Sequence, residues 1–203
     1  MLLDFNLLKQ KHNMDIRGII HIGGHHGQEF KTYEENNISN VVFFEPVPTT
    51  FKILEQNVGD KAIIHNVALG NENKKIEMFI ETANQGQSSS ILEPGIHTRQ
   101  YPHITFDSKL EVDMVRLDDF LTDSNKYNFI NIDVQGYELE VMKGAVRTLE
   151  NIDYIMSEVN RDEVYINCSK VDELDKFLAE FHFVRVETTW DGMTWGDALY
   201  VKG

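Results

Sequence analysis

The 203-residue chain has one cysteine, Cys168, and only four prolines. A single cysteine excludes an internal disulfide and suits a reducing, cytoplasmic compartment. No apolar run reaches the roughly 20 residues of a membrane-spanning helix. Residues 1–15 lack the basic start and long apolar stretch of a signal peptide, and pattern instead as a short amphipathic helix. Basic residues are scarce: 19 Lys and Arg stand against 33 Asp and Glu, a net charge of -14. With no Lys/Arg cluster, the chain is a poor partner for a nucleic-acid backbone and a better one for a neutral substrate or a cationic cofactor. Internal repeats and low-complexity tracts are absent. The remaining composition, 41% hydrophobic and 26% charged, is that of one globular domain with a sizeable core. It is equally compatible with one domain of a larger protein.

What is present is organised around RGIIHIGGHHGQ, residues 17–28. An apolar strand, 18–22, runs into Gly23-Gly24-His25-His26-Gly27 and then into a helix over 28–36. A glycine-rich turn lets backbone approach a ligand, and a helix start offers unpaired N–H groups. The next strand, 41–45, ends in Glu45. An acid about 20 positions beyond the glycines is placed to hold ribose hydroxyls. The glycine spacing is neither G-x-G-x-x-G nor a P-loop, so phosphates are not demanded. S-adenosylmethionine fits better: its carboxylate takes backbone N–H groups and its ribose takes Glu45.

Further strands are expected at 62–67, 74–81, 112–116, 127–133, 154–158, 183–189 and 198–201. Helices are expected at 49–57, behind Pro46 and Pro48, and at 117–121, 137–150 and 171–180. This alternation predicts an α/β fold with a parallel sheet, and the last two strands, with no helix between them, form an antiparallel hairpin. Residues 82–106 show no periodicity and read as a lid or substrate loop.

In an open α/β sheet the ligand sits beyond the carboxyl ends of the strands. There the sequence puts Asp133, Glu158 and Asn160. They are candidates to hold substrate hydroxyls, to act as general base, or to bind Mg²⁺ or Mn²⁺. His97, in the 82–106 loop, is the histidine candidate for the base. Ser88, Ser89 and Ser90 are candidates for substrate hydrogen bonds, and Trp195 for stacking on a sugar ring.

The motifs HIGGHHGQE, FFEPVPTTF, NVALGN, SSSIL, LDDFL, IDVQGYELEVMKGA, SEVN and WGDALYVK together resemble the FkbM-type S-adenosylmethionine-dependent methyltransferases. The resemblance implies a Rossmann-like class I fold: a seven-stranded, mostly parallel sheet with helices on both faces. It also implies O-methylation of a small hydroxylated acceptor, with sugars and glycans prominent. It places Gly23, Gly24 and Gly27 at the cofactor tail, Glu45 and Pro46 at the ribose, and Val67 and Ala68 at the adenine. Asp133 then stands where cofactor and acceptor meet. One departure is His21, at a position where the class usually has an acid for the cofactor's ammonium. A non-catalytic cofactor-binding module and, against the glycine spacing, a nicotinamide-dependent oxidoreductase are the other readings.

Overall fold

A computed structural model describes residues 1–203. The elements in order are α1 (Phe5–Lys11), β1 (Ile19–Ile22), α2 (Phe30–Glu35), β2 (Val41–Phe44), α3 (Pro48–Val58), β3 (Ile63–His65), β4 (Ala68–Leu69), β5 (Lys74–Ile80), α4 (His97–Gln100), β6 (Ser108–Val115), α5 (Leu117–Phe120), β7 (Phe129–Ile132), α6 (Glu138–Lys143), β8 (Tyr154–Asn160), α7 (Val171–Ala179), β9 (Phe183–Asp191) and β10 (Trp195–Lys202). Seven strands form the main sheet in the order β3-β2-β1-β7-β8-β10-β9. The first five are parallel, and β10 runs antiparallel to both β8 and β9.

The central strands read IIHI, VVFF and FINI because both of their faces are covered. Alternation sends Ile20, Ile22, Val42, Phe44, Ile130 and Ile132 to one face, where Val141 and Met142 of α6 and Leu174 and Leu178 of α7 cover them. Ile19, Val41, Phe43 and Phe129 point the other way, onto Phe5 and Leu8 of α1, Phe30 and Tyr33 of α2, and Leu54 and Val58 of α3.

Several boundaries depart from expectation. The 62–67 strand is shorter, and Ala68–Leu69 is a further short strand of its own. It joins β6 and β5 in a separate three-stranded sheet, closed by Val47, Ala68, Met78, Val112 and Met114. The strand expected at 112–116 begins at Ser108, where alternating charges on an exposed pair hide the periodicity. The helix expected over 137–150 stops at Lys143.

The sheet's carboxyl edge is set by one close backbone approach. Gly23 follows β1 with φ +80, and a Cβ there would lie 2.0 Å from the Asp133 carbonyl oxygen beyond β7. Only glycine lets these two strand ends meet. Gly23→Ala is therefore expected to cost about 2–4 kcal/mol. Urea unfolding followed by circular dichroism measures this, and a loss within 0.5 kcal/mol would show that the edge relaxes freely.

Candidate active site

A cavity of about 570 Å³ opens over this edge, reaching from the end of β2 across β1, β7 and β8 to β10. Its floor at the β2 end is Glu45. One Glu45 oxygen accepts the His25 N–H at 2.9 Å and the other accepts the Val47 N–H at 2.9 Å. Each oxygen keeps lone-pair capacity for a further donor. Burial pushes this carboxyl up to about 7, against the two N–H bonds that favour its charge. Pro46, Val67, Ala68, Leu69 and Met78 form the largely apolar wall beside it.

The glycine turn works differently from the expectation. Gly23 lines the cavity, but Gly24 and Gly27 do not. The Gly23 and Gly24 N–H groups both donate to the Phe44 carbonyl, and the Gly27 N–H donates to Gly24. None is left for a ligand carboxylate. A Cβ on Gly24 would press on Phe43 and Leu54, and one on Gly27 on Leu54 and Val58, so these glycines let the turn pack against α3.

His21 is buried and lines the cavity. The Tyr33 hydroxyl accepts from the Asn131 amide at 2.7 Å and sits 3.0 Å from His21 Nδ1. Its own proton therefore goes to Nδ1, which leaves the ring hydrogen on Nε2. Burial lowers the His21 pKa, so the ring is neutral near pH 7. The acid absent from position 21 has a neighbour in space instead. Glu29, preceding α2, lines the same end of the cavity and acts electrostatically on His21.

Past β7 stands a group of carboxyls. Ligand oxygens of Asp133, Glu138 and Glu158 lie within 4.8 Å of one another. Gln135, which the sequence reading passed over, sits between two of them. Its Nε2 donates to Asp133 Oδ1 at 2.7 Å and to Glu158 Oε2 at 2.8 Å. Glu138 Oε1 accepts the Val134 and Gly136 N–H groups and so shapes the turn. Burial, then the Asp133 charge, holds Glu158 well above the ordinary carboxyl range. Burial pushes Glu138 to about 7 and Asp197, opposite Glu158 in the β8–β10 register, to about 6. Asp133 itself is half-buried and open to the cavity.

Asn160 does not join this group at the cavity. It is buried, lines no part of the cavity wall, and neither of its amide atoms has a partner. The third acid beside Asp133 and Glu158 is Glu138, a helix-start residue whose role is not visible in sequence spacing.

Residues 82–106 form the roof. Their middle is anchored: Ser90 pairs with Phe79, and the Gly95 and His97 N–H groups donate to the Val164 carbonyl. Ser88 and Ser89 line the cavity, whereas Ser90 Oγ donates to the Gln135 carbonyl and lies outside the wall. His97 is buried in the wall against Tyr101, Phe106 and Tyr165, with Nδ1 unpaired. Burial lowers its pKa. Trp195 lines the β10 end and donates its indole N–H to the Tyr101 hydroxyl at 3.0 Å.

Comparison with known proteins agrees with this fold. The methyltransferase FkbM domain model matches residues 21–185, and the chain belongs to that family. The 2-O-methyltransferase NoeI of Sinorhizobium fredii is 28% identical over 158 residues, which cover 72% of this chain and 65% of NoeI. The chain thus spans just under two thirds of that relative's length. Among solved structures, magnesium protoporphyrin IX methyltransferase from Synechocystis PCC 6803, with S-adenosylmethionine bound, superposes with a TM-score of 0.53 at 9% identity. The match covers 98% of this chain and 76% of that one. The 1,6-didemethyltoxoflavin-N1-methyltransferase of Burkholderia thailandensis gives 0.52 at 11% identity, over 97% and 75%. These likenesses establish the class I methyltransferase fold. No helix of the chain is long and apolar enough to cross a membrane.

The buried carboxyls make stability depend on pH. Glu45 has its folded pKa raised to about 7, so between its ordinary value and 7 the folded state binds more protons than the unfolded. Stability then falls as pH rises through that window and is greatest on the acid side of it. Glu45→Gln removes this contribution. Urea unfolding at pH 5.5 and 7.5 should show the wild type losing about 1–3 kcal/mol more than the variant over that interval. Equal losses in the two proteins would mean that Glu45 is ionised throughout.

Proposed function

We propose that this chain is an S-adenosylmethionine-dependent O-methyltransferase acting on a hydroxyl of a small acceptor, a sugar or glycan hydroxyl above all. The observation that carries the proposal is a carboxylate pair, Asp133 and Glu158, at the acceptor end of a cavity in a chain related to a 2-O-methyltransferase.

The residues fit the cofactor. Glu45 has acceptor capacity for ribose hydroxyls, and Val67, Ala68 and Met78 offer an apolar face to adenine. Glu29 and Asp133 are the acids for its ammonium, in place of an acid at position 21, and His21 Nε2–H is a donor for its carboxylate. When bound, the cofactor supplies a methyl group activated on a sulfonium. The chain's task is then positioning and proton removal.

Asp133 is the proton acceptor in this reading. It is the member of the group that opens to the cavity, while Glu158 lies buried behind it, held well above the ordinary carboxyl range by burial and by the Asp133 charge. His97, which burial keeps neutral, lines the wall across the cavity. Trp195 offers its ring to the acceptor's apolar face, and Ser88 and Ser89 line the approach. The wall carries Glu29, Glu45, Asp133, Glu158 and Asp191, which suits an uncharged polyol better than a phosphorylated one. Mg²⁺ or Mn²⁺ on Asp133, Glu138 and Glu158 would have to displace the Gln135 amide from two of the three, so a carboxylate rather than a metal is the group that receives the proton in this reading.

Two tests follow. Calorimetry with S-adenosylhomocysteine should show Glu45→Ala binding roughly ten- to a hundredfold more weakly; unchanged affinity would remove Glu45 from the ribose. A panel of glycosides and small alcohols with labelled S-adenosylmethionine should give turnover that EDTA leaves intact and Asp133→Asn lowers at least ~10²-fold. Binding of the cofactor product without methylation of any hydroxylated acceptor would point to a non-catalytic module.

A further inference from the structure

The cavity contains one side chain with no role in the scheme above and an unusual number of fixed contacts, Gln135. Its backbone has φ +55, in the left-handed region that non-glycine residues avoid without cause. Its carbonyl accepts the Ser90 hydroxyl at 2.7 Å. Its side-chain oxygen lies 2.7 Å from the Tyr165 hydroxyl, which is also 2.9 Å from the Ser88 carbonyl. Its side-chain nitrogen donates to Asp133 and to Glu158 at once.

The amide NH₂ faces the two carboxyl groups and its oxygen faces Tyr165. Turned over, its oxygen would face two carboxyl oxygens and its NH₂ would face the Tyr165 hydroxyl. Turned, the amide would take its donor away from Asp133; as placed, the one Tyr165 proton is shared between the Ser88 carbonyl and the Gln135 oxygen. As placed, each amide proton serves one carboxyl group. Both polar ends of Gln135 are therefore committed, and its main chain is held by the roof.

We infer that Gln135 is the positioning residue of the proton acceptor: its amide fixes Asp133 and Glu158 at one separation, and its backbone ties that pair to the Ser88–Ser90 stretch of the roof. This rests on the reading of Asp133 as the base. It adds that the base is assembled by a neighbouring amide that lines the same cavity. It also couples closure of the roof to readiness of the base. Displacing Ser90 would release the Gln135 main chain, and the two carboxyls would lose their spacer.

Gln135→Asn is the informative variant. Asparagine tolerates the left-handed backbone and keeps the amide, but one methylene less removes its reach to both carboxyls. Expected is a fall in kcat of at least ~10-fold, with acceptor KM and S-adenosylhomocysteine affinity within about threefold of wild type. The acid limb of the pH–kcat profile should move as well. Ser90→Ala should give the same pattern more weakly. A ¹³C carboxyl titration of Glu158 needs no acceptor, and its midpoint should differ between wild type and Gln135→Asn. Wild-type kcat together with an unmoved Glu158 titration would overturn the inference. Parallel losses of kcat and S-adenosylhomocysteine affinity would overturn it too, since they mean a collapsed site. Failure of the reading beneath it looks different: the wild type would methylate no hydroxyl, while the Glu158 titration would still report whether Gln135 holds the pair.

Discussion

The carboxyl edge of the sheet is a place where several acids are buried and no lysine or arginine meets them. Glu45, Glu138 and Glu158 are all nearly inaccessible to water, and none takes part in a salt bridge. Glu45 and Glu138 are held by pairs of backbone N–H groups, and Glu158 by the Gln135 amide. Burying a carboxylate in this way is costly, and the groups respond by holding protons. The helices, the glycine turn and the roof are arranged so that these few donors reach their acids. Asp118, away from this edge, is a buried acid that does have a cation beside it. Asp118 accepts from the Arg147 and Thr148 N–H groups and the Thr148 hydroxyl, with the Arg147 guanidinium nearby.

The order of strands explains why the two halves of the cavity differ. Glu45 ends the strand two places from β7, and Asp133, Glu158 and Trp195 follow on β7, β8 and β10. A ligand lying along the edge meets an apolar, single-acid end first and a polar, aromatic end last. The separate sheet of β4, β5 and β6 closes the apolar end with Ala68 and Met78. The roof, anchored on Val164, closes the other.

Much of this architecture was legible in the residues. Buried parallel strands write themselves as apolar runs, and VVFF and FINI have no other good reading. The acids at strand ends were legible because their positions follow from strand direction alone. Three kinds of feature were not. The role of Gly24 and Gly27 depends on what packs over them, and sequence does not distinguish a glycine that meets a ligand from one that meets Leu54. Gln135 and Glu138 act through contacts across a turn of irregular backbone, for which there is no period to read. His21 reads as a misfit in an apolar strand until Tyr33 and Asn131, 12 and 98 positions from their partners, are seen to satisfy it.

The assignment of roles within the carboxylate pair comes last, because neither residue type nor spacing decides it. Asp133 and Glu158 are chemically alike, share one amide and stand on adjacent strands. What separates them is depth. Glu158 lies on a strand flanked on both sides, 4% exposed, whereas Asp133 sits past the end of β7 where the chain turns away. Burial, and the Asp133 charge beside it, make the charged form of Glu158 the costly one. A pair whose environments push the two groups apart separates acid from base without any further residue. The same pair gives Gln135 its place: one amide nitrogen has a donor for each carboxyl group and holds them with no cation between.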